Sequence, residues 1–173
     1  MTNPLHAWIK TYPDFPKPGI LFYDIAPILE HPDHLKQTVE MLASTIDAWQ
    51  PEVLVGIDSR GFLFATPVAL SRGLGVVMIR KKGKLPGDVR EASYALEYGE
   101  ATLAVQRDRA LAGKRVVLID DLLATGGTLA AAETLLTQSG ATVVGCVVLI
   151  ELTDLKGRTR LTAPVKSLQT YAS

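Results

Sequence analysis

Residues 116 to 128 read VVLIDDLLATGGT. An apolar run, Val116 to Ile119, meets two adjacent carboxylates, Asp120 and Asp121. Ala124, Thr125, Gly126, Gly127 and Thr128 follow and lead into a helical pattern. A helix start presents unpaired backbone N–H groups and a partial positive charge. Glycines let such a backbone approach an anion closely, and threonine hydroxyls add donors. The stretch 124–128 therefore reads as a phosphate cradle. Asp120 and Asp121 would repel that phosphate. They suit the hydroxyls of a ribose, a bound Mg²⁺, or positive charge developing in a reaction. A ribose bearing a 5-phosphate has parts that match both ends. The Walker A spacing GxxxxGK[ST] is absent, and no GxGxxG follows a strand, so neither common nucleotide fingerprint applies.

Two further groups could handle anions. Asp58-Ser59-Arg60-Gly61 follows an apolar run, and its arginine fork with nearby backbone N–H groups suits a pyrophosphate. Arg80, Lys81, Lys82 and Lys84 form a basic run. Beside a pyrophosphate site such a run becomes a charge clamp. His31 and His34 flank Asp33 but lack a third ligand, so they read as surface histidines.

Something must position these groups. Four continuous apolar runs, Val53–Ile57, Gly75–Ile79, Val116–Ile119 and Thr142–Ile150, have the character of strands buried on both faces of a parallel sheet. Leu35, Val39, Leu42, Ile46 and Trp49 follow helical spacing after Pro32 and Asp33. Phe62–Leu70 reads as a second helix, with Pro67 disturbing its register. Leu129, Ala132 and Leu136 mark a third, with Gly140 placed to end it. Strands alternating with helices specify an α/β fold with a mostly parallel central sheet flanked by helices. Ligands in such sheets bind at the carboxyl ends of the strands, where the three polar groups stand. Residues 81–93 carry little apolar content and read as a flexible loop. A strand-like pair follows, Tyr94–Tyr98 and Ala101–Gln106. Five prolines in residues 1–30 favour a small N-terminal hood over the sheet. The segment after Pro164 is short and polar.

The chain has 173 residues, enough for a single domain, 1–173, that buries a sizeable core without crosslinks. Hydrophobic residues make up 47% and charged residues 21%, an ordinary globular balance. Eighteen basic residues offset eighteen acidic ones, which argues against coating nucleic acid. The lone Cys146 lies in an apolar run and reads as a small core residue. The N-terminus shows no signal pattern and no apolar run is long enough for a membrane helix, so the expected location is cytoplasmic.

The run at 116–128 closely resembles the PRPP-binding motif of the type I phosphoribosyltransferase family. The resemblance extends, in order, to FPKPGILFYDIAPIL at 15–29, GIDSRGFLF at 56–64, IRKKGKLPG at 79–87 and ASYALEYG at 92–99. It implies the type I phosphoribosyltransferase fold and a purine-salvage reaction: adenine plus PRPP gives AMP and pyrophosphate, with substrate-chelated Mg²⁺. It further implies that Asp58, Ser59, Arg60, Arg80, Lys81 and Lys84 hold pyrophosphate, and that 81–93 closes over substrate. Glu97 becomes the acid or base near N7 of the purine, with Tyr98 packing on or gating the same site. Asp120 and Asp121 act on the ribose and touch the metal only through water or ribose hydroxyls. Leu21 and Tyr23 select the base, largely through backbone. An arginine is frequent where Tyr23 stands, so any side-chain role of that arginine is lost here. The family reading also implies a homodimer whose basic loop reaches the neighbouring active site. Two alternatives remain: a sister enzyme for hypoxanthine, guanine or xanthine, and a non-catalytic regulator that senses PRPP. The regulator needs an output surface, and no helix-turn-helix pattern stands before residue 30.

Overall fold

Apolar runs that cannot expose either face must become interior strands, and those of this chain do. The computed structural model describes residues 3–96 and 99–172. In chain order the elements are α1 (Leu5–Trp8), β1 (Lys10–Pro13), β2 (Leu21–Asp24), α2 (Ala26–Glu30), α3 (Pro32–Asp47), β3 (Val53–Ile57), α4 (Arg60–Arg72), β4 (Gly75–Lys81), β5 (Val89–Ala95), β6 (Glu100–Gln106), β7 (Arg115–Leu123), α5 (Gly127–Gln138), β8 (Thr142–Leu152) and β9 (Val165–Tyr171). Two short 3-10 helices, Thr153–Leu155 and Gly157–Arg160, link β8 to β9.

Seven strands form one sheet in the order β5-β6-β4-β3-β7-β8-β9. The five from β4 to β9 run parallel, and β6 and β5 join antiparallel at one end. The mostly parallel α/β sheet expected from the sequence is therefore present. Helices α3 and α4 supply the core on one face, with Leu42, Ile46, Phe64 and Val68 buried against Leu54, Val117 and Val147. Helix α5 covers the other face, with Leu129, Leu135 and Leu136 buried against Val55, Leu118 and Val148.

This topology creates the crevice. Strands β3 and β7 are hydrogen-bonded neighbours. Helix α4 carries the chain from β3 outward to β4, whereas α5 carries it from β7 outward to β8. The loops leaving β3 and β7 thus diverge from a topological switch point, where open α/β sheets bind ligands.

Three features differ from the sequence reading. Of residues 81–93, Lys81 ends β4 and 89–93 belong to β5; only 82–88 lie between strands. Strand β5 was hidden because it is an edge strand with one face exposed, so Arg90, Glu91 and Ser93 dilute its apolar signal. The polar tail after Pro164 hides β9 for the same reason, at the opposite edge. His34 is half-buried rather than free on the surface. Its ring stacks between Trp8, 4.1 Å away, and His31, 4.0 Å away.

The N-terminal hood consists of α1, the β1–β2 hairpin and α2. It shares the core of the sheet: Leu5, Ile9, Tyr23, Ile25 and Ile28 are buried in the same cluster as α3 and α4. Leu5→Ala should therefore cost about 2–5 kcal/mol, the usual range for a fully buried leucine. Urea unfolding should show one transition at a lower midpoint. A separate early transition would mean that the hood is an independent unit.

Candidate functional site

Strand β7 is longer than its apolar run and continues through Leu123, so Asp120 and Asp121 are strand residues. Both carboxylates are buried, at 9% and 6% exposure. Asp121 is answered by Arg60, whose Nε lies 2.8 Å from its Oδ2. Asp120 receives the backbone N–H of Asp121 at 2.9 Å. Burial first, and the adjacent Asp121 charge second, push the Asp120 carboxyl well above its ordinary range. Gly61 explains how Arg60 comes so close. A Cβ there would lie 2.8 Å from the Ile119 carbonyl oxygen and 3.1 Å from Asp120 Oδ1. Only glycine lets the start of α4 rest on the end of β7 in this way.

These residues wall a cavity of about 510 Å³. Asp58, Ser59, Arg60 and Lys81 form one side, and Asp120 through Leu129 form the other. The volume suits a small-molecule site. Ala124, Thr125, Gly126, Gly127 and Thr128 all line it, as read from the sequence. Gly126 takes φ +83°, a left-handed conformation natural to glycine, and turns the chain into α5. The first intrahelical bond runs from Ala130 N to Gly126 O at 2.9 Å, and the N–H groups of the turn before it are without an intrahelical partner. Asp58 and Ser59 are joined by a cis peptide bond.

The remaining sequence candidates are placed differently. Arg80 does not line the cavity. Its Nε pairs with Asp58 at 3.1 Å and its Nη1 donates to the Lys84 carbonyl at 3.4 Å. Arg80 thus ties the 58–61 loop to the basic turn, and Lys84 does not line the cavity. Tyr23 points into the core, its ring 4.4 Å from that of Tyr171. Leu21 is exposed and does not line the cavity. Phe22, on the opposite face of β2, does not line the cavity either, but the Arg60 guanidinium stands 5.7 Å from its ring. Alternation alone could have offered Phe22, but not which face meets Arg60. Glu97 and Tyr98 lie outside the described residues.

Tyr94 was missed altogether. It lines the cavity from β5, and its hydroxyl accepts a hydrogen bond from Thr128 Oγ1 at 3.1 Å. Having accepted that bond, the hydroxyl keeps its own proton to donate. Cys146 behaves as expected, since burial raises its thiol pKa and keeps it protonated.

No cluster of three or more His, Cys, Asp or Glu side chains that could cage a metal occurs among the described residues. With Asp121 bound to Arg60, Asp120 and Asp121 would meet a cation only indirectly, as one carried by a substrate's oxygens.

The comparisons with known proteins agree with this geometry. Residues 25–171 match the family model described as the phosphoribosyl transferase domain. The chain belongs to the phosphoribosyltransferase family. Within it, the chain is 55% identical to the adenine phosphoribosyltransferase of Gluconobacter oxydans over 167 residues, covering 96% of this chain and 93% of that one. It is 56% identical to the Rhodospirillum rubrum enzyme of the same name over 165 residues, covering 95% and 96%. Among solved structures, adenine phosphoribosyltransferase from Saccharomyces cerevisiae, complexed with an imino-altritol bisphosphate and adenine, superposes with a TM-score of 0.92. That match has 39% identity and covers 95% of this chain and 96% of the yeast chain. The expected type I phosphoribosyltransferase fold is thus confirmed.

The burial of Asp120 makes a prediction about pH. Its folded pKa is raised above the ordinary 3.8, so ionisation opposes folding increasingly as pH rises past that value. Asp120→Asn should raise Tm at neutral pH, and the gain should fade as pH falls toward about 4. The same change should cut turnover by roughly 10²-fold or more, as for other preorganised electrostatic groups. Melting curves from pH 4 to 8, with rates at neutral pH, would check both effects.

Proposed function

We infer that this chain is a purine-salvage enzyme that transfers the 5-phosphoribosyl group of PRPP to adenine, giving AMP and pyrophosphate. The observation that carries the reading is the single cavity that joins a phosphate cradle, a buried carboxylate pair and an arginine. Relatives at more than half identity over nearly the full chain bear the name of that activity. In the reaction the bond from C1 of the ribose to the pyrophosphate oxygen breaks and a bond to the purine nitrogen forms. The departing electrons stay on pyrophosphate, and the purine loses a proton. Positive charge builds on the ribose ring between these events.

The side chains divide the work by charge. Ala124 to Thr128 hold the 5-phosphate, and Tyr94 adds a donor; this anchors the ribose in one orientation. Asp120 and Asp121 accept the ribose hydroxyls and favour the developing cation. Asp58, Ser59, Arg60 and Lys81 receive the pyrophosphate, with Arg60 exchanging Asp121 for the leaving group. Arg80 braces that loop. Asp120 and Asp121 would meet a PRPP-chelated Mg²⁺ through water or the ribose hydroxyls, and that ion would supply charge neutralisation for the pyrophosphate. The base rests on Phe22, with backbone of 21–23 at its edge; Tyr23 holds that strand from behind. Glu97 takes or returns the purine proton, and Tyr98 packs beside it.

A homodimer fits two features. Leu63, Pro67 and Leu70 follow one face of α4, where Leu63 and Leu70 are 47% and 82% exposed, and Met78 is exposed nearby in sequence on β4. Lys84, which does not line its own cavity, would serve the neighbouring site. No helix among the described residues is long and apolar enough to cross a membrane. The balanced charge and the single buried thiol suit the cytoplasm.

Turnover on adenine, hypoxanthine, guanine and xanthine at equal concentration tests the acceptor. Adenine should be used at least tenfold better than the others, about the discrimination of one lost polar contact. No rate with adenine would contradict the assignment. Glu97→Gln should reduce turnover by roughly 10²–10⁴, the range for acid–base groups. An unchanged rate would remove Glu97 from proton transfer.

A further inference from the structure

The phosphate loop does not hold its shape alone. Gly126 and Gly157 meet backbone to backbone: a Cβ on Gly126 would overlap the Gly157 carbonyl, and a Cβ on Gly157 would overlap the Ala124 carbonyl oxygen. The cradle therefore leans on the linker between β8 and β9. That linker turns sharply at Lys156, a non-glycine residue at φ +52°. Such a turn persists only where its surroundings hold it.

Two anchors hold it. Glu151, near the end of β8, is 2% exposed and sits in register with Leu123, the residue before the cradle. Arg158 grips it with two donors, Nε at 2.7 Å from Oε1 and Nη2 on Oε2. Ser167 of β9 donates to the same carboxylate at 2.7 Å. These contacts hold the Glu151 carboxyl below its ordinary range. At the far end of the linker, the N–H groups of Thr162 and Ala163 donate to Glu133 of α5 at 2.9 and 2.7 Å. Neither anchor lines the cavity.

We propose that Glu151 and Arg158 are a positioning pair that sets the phosphate loop through the Gly157–Gly126 contact. The inference rests on the reading of 124–128 as the 5-phosphate cradle. A bidentate arginine–carboxylate pair fixes orientation as well as distance, which a single contact would not. Its loss should let Gly157 retreat and the cradle open, weakening any ligand that depends on the phosphate and sparing the base.

The test measures binding of AMP and of adenine to the full chain, with Thr125→Ala as the direct probe of the cradle. Glu151→Gln should weaken AMP about tenfold and leave adenine binding and the KM for adenine unchanged. The KM for PRPP should rise in parallel. The double variant with Thr125→Ala should lose less than the product of the single losses, because both act on one loop. If Thr125→Ala weakens AMP and Glu151→Gln does not, the positioning role is wrong while the cradle stands. Multiplicative losses, or equal weakening of AMP and adenine, would reduce the pair to general stability and overturn the proposal. If Thr125→Ala leaves AMP binding intact, the cradle reading fails and takes this inference with it. Should Glu151→Gln not fold, Arg158→Met, at a half-exposed side chain, carries the same comparisons.

Discussion

The structure is organised around a cost: two adjacent carboxylates buried at the end of an interior strand. Asp121 is compensated by Arg60, while Asp120 receives the backbone N–H of Asp121 and, through burial and the Asp121 charge, has a suppressed tendency to ionise. Buried carboxylates so poorly matched are unfavourable for folding and favour a ligand that brings hydroxyls or positive charge. The surrounding fold makes that arrangement tolerable. Both faces of the sheet are covered by apolar helices, and Gly61 lets α4 approach β7 closely enough to deliver the arginine.

The same constraint explains the division of labour around the cavity. The loops leaving β3 and β7 stand side by side because the two crossovers depart in opposite directions. One loop therefore presents Arg60, and the other presents residues 124–128, to the cavity that holds the carboxylates. The residues behind the first layer matter for the same reason. Arg80 pairs with Asp58, and Tyr94 accepts a hydrogen bond from the Thr128 hydroxyl.

Much of this was legible in the sequence because it is local. The cradle, the aspartates and Arg60 are each marked by a short run after an apolar strand, and all reach the predicted cavity. What escaped is non-local. Tyr94 joins Thr128 across 34 residues. Tyr23 was read as base-selecting through its backbone, and its local sequence does not reveal that its ring packs on Tyr171 at the other end of the chain or that Phe22 sits beside Arg60. Strands β5 and β9 were obscured by their polar exposed faces, since edge strands lack the continuous apolar signature of buried ones. The Glu151–Arg158 pair is spaced by only seven residues, yet nothing in that spacing reveals that the intervening turn abuts the cradle.

A crystal structure with AMP bound tests the central claim most directly. The 5-phosphate should lie within hydrogen-bond distance of the backbone N–H groups of 125–128, and the ribose hydroxyls should face Asp120 and Asp121. The adenine ring should rest against Phe22. A phosphate seated instead at 58–61, or a ribose turned away from the carboxylates, would contradict the account.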